Sequence, residues 1–106
     1  MRVTYRLASE NLASVASEAA WAENMGFNAM SSNETAHDSF LPLALAATST
    51  NRAVLETRVA IAFPRSPMVT AYLARDLQDL SKGRFRLGLG TQVKGHIQRR
   101  FSTDWE

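Results

Sequence analysis

Arg84-Phe85-Arg86-Leu87-Gly88-Leu89-Gly90-Thr91-Gln92-Val93 is the stretch that decides how this chain reads. Phe85, Leu87 and Leu89 alternate with polar or small residues, the period of a β-strand with one buried face. A Gly-Thr turn closes it at Gly90-Thr91. Just upstream lies a well-marked helix. Ser66 can cap it, Pro67 fits its first turn, Val69, Leu73, Leu77 and Leu80 form an apolar stripe, and Gly83 fits C′. Helix, strand and Gly-Thr turn make one unit of a parallel α/β protein, and strand ends are where such folds bind ligands.

The same alternation of elements runs back to the N-terminus. Val3, Tyr5 and Leu7 alternate with Arg2, Thr4 and Arg6, which predicts a first strand. Ser9-Glu10-Asn11 supplies helix-start residues, and Leu12, Val15, Ala16, Ala19, Ala20 and Met25 recur at helical spacing up to Gly26. Phe27 to Ser32 reads as a second strand, Asn33 to Ser39 as a loop, and Phe40 to Thr50 as a short helix with Pro42 in its first turn. Val54 to Val59 reads as a third strand, followed by a loop from Ala60 to Arg65 or an extension of that strand. Val93 to Phe101 starts a fourth helix, and Trp21, Met25 and Phe27 are assigned to the core. The order β-α-β-α-β-α-β implies a parallel sheet with right-handed crossovers.

Alternation also divides the strands into two faces. If Val3, Tyr5, Leu7, Leu55, Thr57, Val59, Phe85, Leu87 and Leu89 face the helices, the other side carries Thr4, Arg6, Ala29, Ser31, Asn33, Glu56, Arg58, Arg86, Gly88 and Gly90. Parallel strands covered on both faces normally read as continuous apolar runs, and these do not. Two arrangements accommodate the charges: pairing across strands, with Glu56 between Arg58 and Arg86, or a wet inner face on a sheet that does not close. The second predicts a polar concave surface with two unpaired edge strands. Such edges invite pairing with another chain, so a homodimer closing an eight-stranded barrel follows naturally.

Composition bounds the rest. At 106 residues the chain reads as one domain, 1–106, with 45% apolar residues and no cysteine, which excludes disulfides and thiolate metal sites. Two histidines without a third ligand at metal spacing give no metal site. No apolar run approaches a membrane span and no signal-peptide h-region opens the chain, so a cytoplasmic protein that binds no membrane is expected. Charge is uneven: residues 1–50 carry two Arg and five acids, residues 51–106 ten Lys or Arg and five acids. A basic second half attracts phosphates. Neither aromatic stacking platforms nor a nucleic-acid motif accompany His96 or Arg99-Arg100, so nucleic acid is not the expected partner.

Gly88-Leu89-Gly90 is not a Rossmann fingerprint, because Val93 stands where the third glycine belongs. Together with Thr35-Ala36-His37-Asp38 and Pro64-Arg65-Ser66-Pro67, it instead resembles the luciferase-like monooxygenase family, most of all its deazaflavin-dependent branch. That resemblance implies an N-terminal half of a (β/α)8 TIM-type barrel, since a full barrel takes roughly 250 residues. It implies FMN or a deazaflavin coenzyme of the F-420 type as cofactor, and a small organic molecule as substrate. It places Gly90, Thr91 and Gln92 in the cofactor pocket, where close backbone approach, a hydroxyl and an amide can grip a polar ring. It places an acid and a His, Glu34 and His37, on the substrate side as catalytic candidates. Read from the residues alone, His37-Asp38 is a loop hydrogen bond or a helix cap by Asp38 or Ser39. The resemblance further implies a non-prolyl cis peptide supporting the ring near Arg58 and Val59. The sequence there is Glu56-Thr57-Arg58, where family members carry Gly-Thr and a small residue. Arg6 and Ser31 replace a small residue and an aromatic.

Two functions follow. One is an oxidoreductase using reduced flavin or deazaflavin for hydride transfer or oxygenation, its barrel completed by a second copy or by a missing C-terminal half. The other is a non-catalytic truncated barrel fragment serving as an assembly or binding module.

Overall fold

The computed structural model describes residues 3–8, 11–34, 37–61 and 65–90. Strands β1 (Thr4–Arg6), β2 (Ala29–Ser32), β3 (Val54–Thr57) and β5 (Phe85–Arg86) form one parallel sheet in the order β1-β2-β3-β5. Helices α1 (Val15–Asn24), α2 (Phe40–Ser49) and α3 (Pro67–Leu80) connect them, and a second pair, β4 (Ala60–Ile61) and β6 (Leu89–Gly90), extends the third and fourth strands. The α/β architecture and its strand order are those the sequence predicts.

Local sequence marks the ends of the elements. Asn11 accepts from the Ala13 N–H at 3.1 Å and opens a 3-10 turn over Leu12–Ser14. Gly26, at φ +103°, closes α1. Ser66 Oγ accepts from the Val69 N–H at 3.1 Å, Pro67 occupies the first turn of α3, and Gly83 lies at φ +88° just past its end. The core is one layer between sheet and helices. Val15, Ala19 and Ala22 of α1 meet Leu43, Ala46 and Ala47 of α2, where small side chains let the helices approach closely, and Met30, Leu55 and Phe85 close the layer from the sheet.

Several expectations are corrected. Trp21 and Met25 are 52% and 62% exposed, because α1 turns its alanines inward; Trp21 makes an edge-to-face contact with Tyr5, at 5.9 Å. In α3 the packing face runs through Thr70, Leu73, Ala74 and Leu77, which leaves Val69 and Leu80 outside. The third strand stops at Thr57, and Ala60–Ile61, the start of the expected loop, forms β4.

The break between β3 and β4 has a simple register. Glu56 pairs with Arg86 and Ala60 with Leu89, so the third strand takes four steps where the fourth takes three. One extra residue is a β-bulge, and it reverses the alternation beyond it. Ala60 therefore joins the core, while Val59, expected to face the helices, is 41% exposed. Leu87 and Leu89 are also exposed, since no described element lies beyond the last strand.

At the N-terminal end of the sheet, Glu23 accepts from the backbone N–H groups of Asn51, Arg52 and Ala53, at 2.7–3.2 Å. Burial pushes its carboxyl up, but the three N–H donors and nearby Arg52 outweigh burial and hold the pKa below the ordinary 4.5. A lowered pKa stabilises the fold fully above pH 4.5, and that stabilisation is lost as pH falls through the folded-state value. Glu23→Gln is expected to cost about 1–3 kcal/mol at neutral pH. Urea midpoints of both proteins should converge as the pH falls through the folded-state value, below which the wild-type carboxylate is protonated too.

Candidate functional site

Parallel sheets bind ligands at the carboxyl ends of their strands, and the candidate residues among the described positions lie there. Glu34 follows β2, His37 and Asp38 precede α2, Arg58 and Val59 follow β3, and Gly90 ends β6. Thr91 and Gln92 lie outside the described residues, as do Thr35, Ala36, Pro64, His96 and Arg99-Arg100.

The centre of this end is Arg65. Its guanidinium donates to Glu34 Oε1 at 2.7 Å and Oε2 at 2.6 Å, to Asp38 Oδ1 at 2.7 Å and to the Ile61 carbonyl at 2.9 Å. It lies over the ring of Phe40, 4.9 Å from the centroid. Bidentate pairing of this kind is the strong form of a charge-assisted bond. Glu34, and after it Asp38, raise the guanidinium pKa against the opposing effect of burial. Glu34 Oε1 also accepts from the Ile61 N–H at 2.7 Å, and Asp38 Oδ2 accepts from the Phe40 and Leu41 N–H groups, both at 2.7 Å. Asp38, rather than Ser39, therefore caps α2.

This geometry gives Glu34 a positioning role. The residue is buried at 6% exposure with both oxygens engaged, so it holds the loop in place. His37 is exposed on the same loop, directly before Asp38. Nothing in the sequence spacing announced the clamp, because its members are 27 to 31 residues apart.

The second half of the site is the bulge. The Arg58-Val59 peptide is cis. The Arg58 N–H donates to the Ser32 carbonyl at 2.8 Å, and the Arg58 side chain is 61% exposed, its Nη1 3.6 Å from Glu56 Oε1. Thr57 Oγ1, which the sequence reading passed over, accepts from the Gly88 N–H and donates to the Gly88 carbonyl, both at 2.8 Å. The backbone can approach this closely because residue 88 has no side chain: a Cβ there would run into the Thr57 carbonyl oxygen. A Cβ on residue 90 would sit 2.6 Å from Val59 Cγ2. Val59 thus lies directly on Gly90, and together they form a small apolar ledge at the strand ends, flanked by the Arg58 cation.

Comparison with known proteins agrees with this architecture. The family profile described as luciferase-like monooxygenase matches residues 2–106. Uncharacterised proteins of Mycobacterium tuberculosis and Mycobacterium bovis are 50% identical over 94 residues, covering 89% of this chain and 28% of each relative. The chain therefore spans well under a third of the length of these curated relatives. The coenzyme F420-dependent tetrahydromethanopterin reductase of Methanopyrus kandleri superposes with a TM-score of 0.81 at 24% identity, covering 92% of this chain and 29% of that one. The oxygenating constituent of 3,6-diketocamphane monooxygenase from Pseudomonas putida, a type II Baeyer-Villiger monooxygenase in complex with FMN, gives 0.81 at 17% identity, covering 98% and 33%. The fold is the half of a (β/α)8 barrel that the sequence predicts.

Two substitutions probe the site. Arg65→Leu strands the buried Glu34 carboxylate and should cost about 3–5 kcal/mol. Adding Glu34→Gln should restore part of that loss, as read from thermal midpoints. Gly90→Ala should destabilise by about 1–3 kcal/mol through overpacking. Val59→Ala in the same chain should relieve it, giving a favourable coupling in a double-mutant cycle.

Proposed function

This chain belongs to the luciferase-like monooxygenase family, and from that membership we propose that it forms the cofactor-facing half of a flavin- or deazaflavin-dependent oxidoreductase acting on a small organic molecule. The observation that carries the reading is the ledge of Val59 on Gly90, set at the ligand end of the sheet beside the clamped His37 loop. When bound, FMN or an F-420-type coenzyme would supply the hydride-transfer or oxygenation chemistry. The protein's own part is positioning. Val59 and Gly90 offer an apolar surface to one face of the ring. Arg58 offers a cation to its polar edge or phosphate, and Thr91 and Gln92 offer a hydroxyl and an amide. His37 is the proton donor or acceptor, directly before Asp38, whose carboxylate Arg65 holds. Four further strands complete the barrel, from additional sequence or from a second copy of this chain.

A second reading, a non-catalytic assembly or binding module, is favoured by the charged residues Arg6, Glu56, Arg58 and Arg86 on the inner face of the sheet. Fluorescence titration of the chain with FMN and with the deazaflavin coenzyme separates the two. The cofactor reading expects saturable micromolar binding that is lost when Thr91→Ala and Gln92→Ala are combined. Failure of the folded chain to bind either cofactor would overturn it in favour of the assembly module.

A further inference from the structure

The concave side of the sheet carries more cation than anion. Register aligns Arg6, Ser31, Glu56 and Arg86 in one row across β1, β2, β3 and β5. The neighbouring row, Tyr5, Met30, Leu55 and Phe85, packs against the helices, so the first row points the other way. Arg58 joins it through its 3.6 Å approach to Glu56. Three guanidiniums among the described residues thus share this row with one carboxylate. Among the described residues, Arg86 donates only to the Phe85 carbonyl, at 3.2 Å, and Arg6 has no hydrogen bond or ion pair. Both are exposed, and each is the last residue of its strand, at the end where ligands bind.

We propose that Arg6 and Arg86 form an oxyanion site for the substrate, which makes that substrate an acidic small molecule bearing a carboxylate or phosphate. The word substrate rests on the oxidoreductase reading; the anion site does not. Guanidinium groups match such anions with paired N–H donors. Arg6 and Arg86 stand on the outer strands of the four, with Cα atoms roughly 14 Å apart at ordinary strand spacing. Inward curvature of a barrel brings their side chains together over its mouth. Barrel closure withdraws this face from water, and buried guanidiniums need partners there. Glu56 is close to Arg58 and can satisfy one cation, which leaves a demand for negative charge that a ligand oxyanion meets.

Calorimetric titration of the 106-residue chain with inorganic phosphate and with succinate tests this, with neutral succinamide as control. At least one anion should bind saturably and succinamide should not. Arg6→Gln and Arg86→Gln should each weaken binding at least about fivefold and together abolish it. Arg75→Gln, on the exposed side of α3, should leave it unchanged. No anion binding by wild-type chain whose circular dichroism is that of a folded protein would overturn the proposal. So would equal weakening by Arg75→Gln, which marks a general charge effect. FMN titration of the same variants separates the two readings. An FMN affinity that falls with Arg6→Gln and Arg86→Gln assigns the charge to the cofactor and overturns the substrate site. Anion binding without FMN binding sinks the cofactor reading and leaves the anion site standing.

Discussion

The guanidinium of Arg65 holds the ligand end of this half-barrel together. It ties the loop after β2, the N-terminus of α2, the carbonyl of β4 and the start of α3 through one planar group. A fixed fork of N–H donors supplies the order at this end. Buried ion pairs bring little net stability, because desolvation offsets the attraction. Their value here is geometric: Arg65 fixes Glu34 and Asp38 relative to one another.

The opposite end is closed by the complementary device. Glu23 accepts three backbone N–H groups ahead of β3, while Arg84 donates to the carbonyls of Ala47, Thr50, Ala53 and Ser81 at 2.8–3.1 Å. One carboxylate and one guanidinium thereby satisfy backbone groups that the end of α2 and the turn into β3 leave without partners. All five N–H donors of Arg84 are engaged in this way, which makes it part of the scaffold despite lying in the basic half of the chain.

What could be read beforehand was local. Helix ends at Asn11, Ser66 and Gly83 are written in a few consecutive residues, and the polar row Arg6, Ser31, Glu56, Arg86 follows from counting in twos. The clamp was not legible, because Arg65 and Glu34 are ordinary charged residues until the fold brings them together. Trp21 and Met25 misled because size suggests burial, yet the close contact of α1 with α2 uses alanine. The face of Val59 was misjudged because strict alternation has no means of registering one added residue.

That added residue constrains how sequences of this kind are compared. Between Glu56 and Ala60 the third strand is one residue longer than the stretch of the fourth strand beside it. A length change of one in either segment turns Ala60 and Ile61, or Leu89 and Gly90, to the opposite face. It would take Val59 off Gly90 and Thr57 away from Gly88 at the same stroke. Insertions and deletions are therefore tolerable here only as matched pairs, one in each strand. An alignment that slides a gap through residues 57–60 to gain an identity misassigns every inward-facing position from there to the end of the strand.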